Sequence, residues 1–476
     1  LVLLFTETTF HTRRVGCYRI ATILRSIDVE VEVIDFLSEW NVDELIKLID
    51  KINSIEWVGF SLTYSYFLSE VENATRFTDL SKEDEKKLLD YLKSRSIPIV
   101  LGGSNADSIK NFVSGYYVVI GYADNALAAL HRHIVEGLKI NLTYINNNKV
   151  IYSDINFPEV DLSKIETVFT ENDLINDIEM IPIEISRGCI FKCKFCEFPY
   201  IGKKPGTYIR TKESIAEDIK RAYYTYGIEN FLFVDDTFND SIEKMQKIAD
   251  IRRELCIPFK FWSYGRLDLL SAHPKMIDLI EDTGWSAVTF GVETLNKKSG
   301  SKIGKGADPE RLKNTLLMLR KRYPKMHIQI NLITGLVDST KEDIRKSVDW
   351  FLENSVADYI KIAPLHIQDI SNISSGSEFA KNPNKFGYQI ISTDRLKYKW
   401  KNNNWDLDEA KKIAKEMTEY INTKNRQMKS YHYDYHVQRY LNSGFNRVQI
   451  LSKLENFSDE INYIQRKKQI LAGYIK

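Results

Sequence analysis

Cysteine is scarce in this 476-residue chain: Cys17, Cys189, Cys193, Cys196 and Cys256 are all it has. An odd count with three cysteines packed into 189–196 is no disulfide framework; it points to a reducing compartment and a metal site. Proline and glycine are also few, at 11 and 22 residues, and aromatics reach 12%, which excludes a fibrous or disordered chain. No charge predominates. The 66 Lys and Arg face 65 Asp and Glu, so no global field draws a polyanion. No apolar run approaches the roughly 20 residues that span a bilayer, so no membrane association is expected. The opening residues read as a strand rather than a secretion signal, and a cytoplasmic location is expected. Leu1 stands where a methionine would start translation, so a few residues are expected to precede it.

What is present is enough apolar residue, 43%, for two or three cores. Over 1–140, strand-like runs at Leu1–Phe5, Val29–Ile34, Trp57–Thr63, Ile97–Gly103 and Tyr116–Tyr122 alternate with amphipathic stretches. Buried strands alternating with helices predict a parallel, flavodoxin-like (Rossmann-like) α/β sandwich. The alternation of Glu30 and Glu32 in Val29–Ile34 predicts a half-exposed edge strand. Residues 141–180 read as a linker containing a hairpin around Asn146-Asn147-Asn148. From Ile181 a second series of six βα repeats predicts a partial (β/α)6 TIM-type barrel over 181–370, with chemistry at the carboxyl ends of its strands. Residues 371–476 read as a mainly helical extension. The last hundred residues carry 19 Lys and Arg against 11 Asp and Glu, with Tyr431, Tyr433, Tyr435 and Tyr440 among them. A solvated helical cap is the simpler reading of these charges, and an anion-binding surface is the alternative.

The sharpest signal is Cys189-Ile190-Phe191-Lys192-Cys193-Lys194-Phe195-Cys196, which directly follows the first barrel strand. Three thiolates in eight residues can wrap three corners of a [4Fe-4S] cluster and leave one iron open for catalysis. Zinc would ask for a fourth Cys or His, and none follows at the usual spacing.

This spacing, with Phe195 one place before the last cysteine, resembles the radical S-adenosylmethionine (SAM) enzymes. The resemblance implies that Cys189, Cys193 and Cys196 are cluster ligands and that the open iron chelates SAM. It extends to four further strand ends. Asp235 and Asp236 stand where the family places groups near the SAM amine. Ser263 and Arg266 end the next strand, Arg266 being placed to fork onto the SAM carboxylate or to pair with Asp268. Glu293 resembles the Gly-x-Glu segment near the ribose, and Ile333 and Gly335 the segment packed on adenine. The preceding sandwich is similar to the branch of the family with an N-terminal cobalamin-binding domain. There Ser61 and Thr63 occupy the Ser-x-Thr position and Gly102 and Gly103 the Gly-Gly position. The Asp-x-His-x-x-Gly motif is absent: Thr9 and Arg14 replace its Asp and Gly, which leaves His11 without an orienting carboxylate.

The resemblance implies reductive cleavage of SAM to a 5′-deoxyadenosyl radical and cobalamin-dependent methyl transfer to an unactivated carbon. Its alternative is a cobalamin-independent radical rearrangement, cyclisation or oxidation. A non-enzymatic iron–sulfur module is the remaining reading. Methylthiolation is disfavoured, because beyond the triad only Cys17 and Cys256 remain for a second cluster. The expected partners are a small-molecule or unidentified substrate and a flavodoxin- or ferredoxin-type reductant, with nucleic acid left open by the basic tail.

Overall fold

The computed structural model describes residues 1–6, 12–37, 40–63, 81–177, 179–196, 208–370, 376–393, 397–424, 449 and 459–473. His11, Thr9 and the four C-terminal tyrosines lie outside them. The chain forms two compact units, Leu1–Asn176 with Ser452–Lys476, and Asp177–Leu451.

The first unit is built on seven strands: β1 (Val2–Phe5), β2 (Val31–Ile34), β3 (Trp57–Ser61), β4 (Ile99–Gly102), β5 (Tyr117–Ile120), β6 (Thr143–Ile145) and β7 (Asn148–Tyr152). Their order is β2-β1-β3-β4-β5-β7-β6, and all neighbours are parallel except β6 and β7. The first five strands follow the flavodoxin order expected of a doubly wound sheet. The helices between them start where the sequence provides caps. Asn41 accepts from the amides of Asp43 and Glu44, and Ser81 from that of Asp84; each such cap is worth about 1 kcal/mol.

Two expectations change here. The Asn146–Asn147 turn does form a hairpin, with both residues at positive φ, 48° and 61°, the backbone a tight two-residue turn needs. Its strands belong to the sheet rather than to a linker, because β7 pairs with β5 in register Val118 to Val150. β2 is an edge strand, as the glutamates indicated, but it is covered. Glu32 is 1% exposed and meets the buried Lys467 at 2.5 Å, from the helix Asp459–Gly473. A charge on an edge strand is satisfied by a partner 435 residues away, which a local alternation pattern does not register.

The second unit holds six parallel strands in sequential order: β8 (Met180–Glu184), β9 (Asn230–Val234), β10 (Lys260–Gly265), β11 (Trp285–Glu293), β12 (His327–Thr334) and β13 (Tyr359–Pro364). The helix-side face is apolar. Phe233 stacks on Phe261 at 3.9 Å between centroids, and Phe238 and Trp285 close the cluster edge-on. Residues 371–476, expected to be mainly helical, also contain strands. An antiparallel hairpin, β14 (Gln389–Thr393) and β15 (Tyr398–Lys401), precedes the helix Leu407–Lys424, which packs against β13 and β12. Both rest on the end of β12. The Thr334 hydroxyl donates to Ala410 O at 2.8 Å, and the Tyr388 hydroxyl to Gly335 O at 3.2 Å. The helix Asp459–Gly473 belongs to the first unit.

Among the described residues no helix is long and apolar enough to cross a membrane.

Candidate active site at the carboxyl ends of the barrel strands

The cysteine loop leaves β8 through Gly188, whose φ of +83° is one that only glycine adopts without strain. Its flanks are pinned. Arg187 forks onto Glu184, Nε to Oε1 at 2.6 Å and Nη2 to Oε2 at 3.0 Å, and the fully buried Arg210 donates to Glu184 O and to Asp218. The loop itself is held by backbone bonds. Lys194 N donates to Ile303 O at 3.1 Å, Phe379 N to Lys194 O at 3.0 Å, and Cys196 N to Cys193 O at 3.1 Å. Phe195 therefore follows a residue whose amide and carbonyl are both held by distant segments.

Two of the thiols have polar neighbours on other strand ends. Cys189 Sγ lies 3.6 Å from the Thr237 hydroxyl at the end of β9, and Arg266 Nη1 lies 3.4 Å from Cys193 Sγ. Burial pushes the Cys189 thiol up, with the Thr237 hydroxyl opposing it. Among the described residues no three His, Cys, Asp or Glu side chains meet at the spacing of single-ion ligands. The thiolates of a cubane each hold a different iron and need not meet. The donor set of three sulfurs beside a guanidinium suits a cluster of that kind.

Arg266 is brought to the cysteines, and it is engaged. Its guanidinium forks onto Asp268, Nε to Oδ1 at 3.1 Å and Nη2 to Oδ2 at 2.6 Å, and lies 4.1 Å over the Phe191 ring. Asn239 clamps its backbone from both sides, accepting from Arg266 N and donating to Arg266 O. The salt bridge to Asp268 is thus the arrangement adopted, with Nη1 left facing the sulfur.

At the end of β9, Asp235 is buried and committed. It lies 2.6 Å from Lys244 Nζ and accepts from Thr237 N at 2.9 Å. Lys244 also reaches Asp240 at 2.9 Å, and Tyr208 donates a short bond to Asp240. Against the pull of burial, the two carboxylates hold the Lys244 ammonium above the usual lysine range. Lys244 makes its ion pairs with Asp235 and Asp240 rather than with Asp236 next door. Burial, and then the charge of Asp235, raise Asp236 to about 6, with Lys244 opposing. Of the two aspartates, Asp236 is the one whose carboxyl is not already spent on a buried cation.

Glu293 ends β11 at φ +65°, an uncommon backbone for a residue other than glycine and a local strain. Its Oε1 meets Lys305 Nζ at 3.1 Å, and Lys305 also donates to Gly291 O at 2.6 Å. A Cβ on Gly291 would fall 2.5 Å from Glu293 Oε1, so glycine there makes room for the ion pair. Ser263 is not brought to the cysteines. It shares the helix-side face of β10 with Phe261, fully buried, its hydroxyl without a partner among the described residues. Gly335, at φ +90°, lies under Trp400, whose ring would clash with an added Cβ; Ile333 is half-buried near the end of β12.

Lys244, Asp240, Tyr208 and Lys305 escaped the sequence reading. Asp240 and Lys244 do stand four apart across a Ser241 cap, a local signal for an ion pair at a helix start, but nothing local marks their burial.

In the first unit the four nominated residues come together. The Ser61 and Thr63 hydroxyls are 3.4 Å apart, and a Cβ on Gly103 would strike Thr63 N and Oγ1 at 2.8 Å. Gly102 faces open space. Cys17, buried beside the Thr6 and Ser61 hydroxyls, has its thiol pushed up to about 12 by burial.

With this geometry in place, comparison with known proteins defines the class. Residues 183–351 match the Radical SAM superfamily, and the barrel is a radical SAM domain. The α/β fold, a mixed seven-stranded sheet followed by a six-stranded parallel one, is like that of cobalamin-dependent radical SAM enzymes with an N-terminal Rossmann-like sheet. It is similar to the radical SAM methyltransferase TsrM of Kitasatospora setae, solved with cobalamin and a [4Fe-4S] cluster. The TM-score is 0.60 at 16% identity, covering 83% of this chain and 81% of that one. It is also similar to the cobalamin-dependent radical SAM enzyme OxsB, with a TM-score of 0.58 at 14% identity, covering all of this chain and 70% of that one. Among curated proteins, bacteriochlorophyllide d C-8(2)-methyltransferase of Chlorobaculum tepidum is 23% identical over 285 residues, 57% of this chain and 60% of the relative. An uncharacterized methyltransferase of Pyrococcus horikoshii is 25% identical over 166 residues, 35% of each. The matches thus span 35% and 60% of these relatives' lengths.

Proposed function

We propose that this chain cleaves SAM reductively at a [4Fe-4S] cluster held by Cys189, Cys193 and Cys196, and uses the product radical for cobalamin-dependent methylation of an unactivated carbon. The carrying observation is the three-cysteine loop at the carboxyl end of β8, inside a segment that matches the Radical SAM superfamily. When bound, the reduced cluster supplies one electron to the SAM sulfonium, giving methionine and a 5′-deoxyadenosyl radical, and cobalamin supplies a methyl carrier.

The chain's own residues bind and orient. Arg266, beside Cys193, places a fixed cation against the thiolates and offsets their charge. Asp236 offers the SAM ammonium a carboxylate; Asp235 supports it indirectly by fixing Lys244 and the β9 end. The ion-paired Glu293 is set by its strained backbone at the β11 end, where a ribose hydroxyl would find an acceptor. In the first unit, the close Gly103–Thr63 packing with Gly102 facing open space supports a bulky ligand beside the β3 and β4 ends. Methylation rather than another radical outcome is favoured by the methyltransferase names of the relatives. A small-molecule substrate and a flavodoxin- or ferredoxin-type reductant complete the reading.

The test is anaerobic purification and reconstitution, followed by iron and sulfide analysis and a visible spectrum with and without added cobalamin. Four irons per chain and a corrinoid band retained through gel filtration are expected. Iron-free protein overturns the cluster; a corrinoid band lost on the column overturns the cobalamin part alone.

A further inference from the structure

Thr237, buried just past the end of β9, is fixed through its backbone and turns its side chain to the cysteine loop. Its amide donates to Asp235 Oδ1 at 2.9 Å, and its carbonyl accepts from Lys244 Nζ at 3.0 Å. Both partners are anchored in turn, because the buried Lys244 ammonium pairs with Asp235 at 2.6 Å and with Asp240 at 2.9 Å. The hydroxyl takes no part in this frame. Its oxygen lies 2.7 Å from Asp236 O, to which it donates, and 3.6 Å from Cys189 Sγ, within hydrogen-bond range for the larger sulfur atom.

A hydroxyl has one proton to give. While Cys189 carries its own proton, the thiol can donate to Thr237 Oγ1 and the hydroxyl can donate to Asp236 O. A cysteine that ligates iron does so as a thiolate, which can only accept. Turning about the Cβ–Oγ1 bond then carries the hydroxyl proton from Asp236 O to the sulfur with no heavy atom displaced. Of the two acceptors the anionic one makes the stronger bond. A donor on a cluster sulfur is bound more tightly once an added electron has raised the negative charge there, so it favours the reduced state and raises the reduction potential.

We infer that Thr237 is a positioning residue that acts through Cys189: its hydroxyl donates to the ligating thiolate and raises the reduction potential of the site, while Asp235 and Lys244 hold it at the sulfur. The inference rests on the [4Fe-4S] reading and deepens it, naming one polar group that sets how readily the site accepts its electron. It also gives the buried Asp235, Lys244 and Asp240 a task, the rigid support of a donor that must stay beside one sulfur.

The test is a redox titration of the anaerobically reconstituted full-length chain without SAM, the reduced cluster being read by electron paramagnetic resonance and iron being counted in every sample. Thr237→Val keeps the branched shape and the backbone bonds and removes the hydroxyl. At the poise where half of the wild-type cluster is reduced, the ratio of reduced to oxidised cluster in this variant should fall about fivefold, the order expected when one hydrogen bond to a charged acceptor is lost. Thr237→Ala should show the same fall, and Thr237→Ser, which keeps the hydroxyl, should stay near the wild-type ratio. An unchanged ratio in the two hydroxyl-free variants, or an equal fall in Thr237→Ser, overturns the inference. Iron lost from the variants while the wild type holds four overturns it too, because the residue would then serve cluster assembly rather than its potential. The readout needs no turnover. Iron-free wild type would refute the cluster reading itself, whereas a fully loaded wild type beside an unshifted Thr237→Val would refute only the role of Thr237.

Discussion

Lys244 Nζ lies 2.6 Å from Asp235 Oδ2, both side chains fully buried, tying the first turn of the helix Ile242–Leu255 to the end of β9. With Asp240 on its other side, this lysine neutralises two carboxylates within a few residues of the cysteine loop's neighbour Thr237.

Lys244→Met should therefore destabilise the barrel by about 3–5 kcal/mol, the cost of leaving buried charge unpaired. Urea unfolding followed by circular dichroism checks this. The triple change Lys244→Met, Asp235→Asn and Asp240→Asn should recover part of the loss, because it removes the orphaned charges.

Asp236 gives a pH signature. Its carboxyl is raised to about 6 in the fold, by burial first and by Asp235 second. The unfolded value is about 3.9, so between these values the folded state holds the extra proton. Stability then falls as pH rises from about 4 to about 6 and levels off above. Asp240, raised by burial too, adds in the same direction. Asp236→Asn should flatten part of this slope in urea midpoints measured across that range. An unchanged slope would remove Asp236 as its source.

Gly335→Ala should cost about 1–3 kcal/mol or more, through a positive φ and a Cβ that would clash with the Trp400 ring. The thermal midpoint reads this. Gly102→Ala meets nothing within 4 Å and should leave the midpoint nearly unchanged.

Alkylation separates the cysteines outside the triad. Exposed Cys256 should react with iodoacetamide in the folded chain, whereas Cys17, buried and with its thiol near 12, should react only after unfolding. Mass spectrometry before and after addition of guanidinium distinguishes them.

The repeating order of strand and helix was legible because periodicity is local: the strand-like runs Leu1–Phe5 and Trp57–Thr63 appear in the structure as β1 (Val2–Phe5) and β3 (Trp57–Ser61). The cysteine loop was legible because its three thiols fit in eight residues. What local patterns could not reveal were pairings across the chain. Glu32 suggested an exposed edge until Lys467 covered it. Gly335 suggested a ligand contact, and its strict need for glycine comes from Trp400, 65 positions on. Ser263 carried the right residue type at a strand end, but strand alternation turns it toward Phe261. Arg266 lies beside Cys193, while its choice of Asp268 depended on geometry.

The most direct measurement is 5′-deoxyadenosine formed on anaerobic incubation of the reconstituted chain with SAM and a low-potential reductant, wild type beside Cys193→Ala. The account predicts release by the wild type and none by the variant, whose first unit stays folded by circular dichroism. Release at the wild-type rate from Cys193→Ala, or none from iron-loaded wild type, would contradict it.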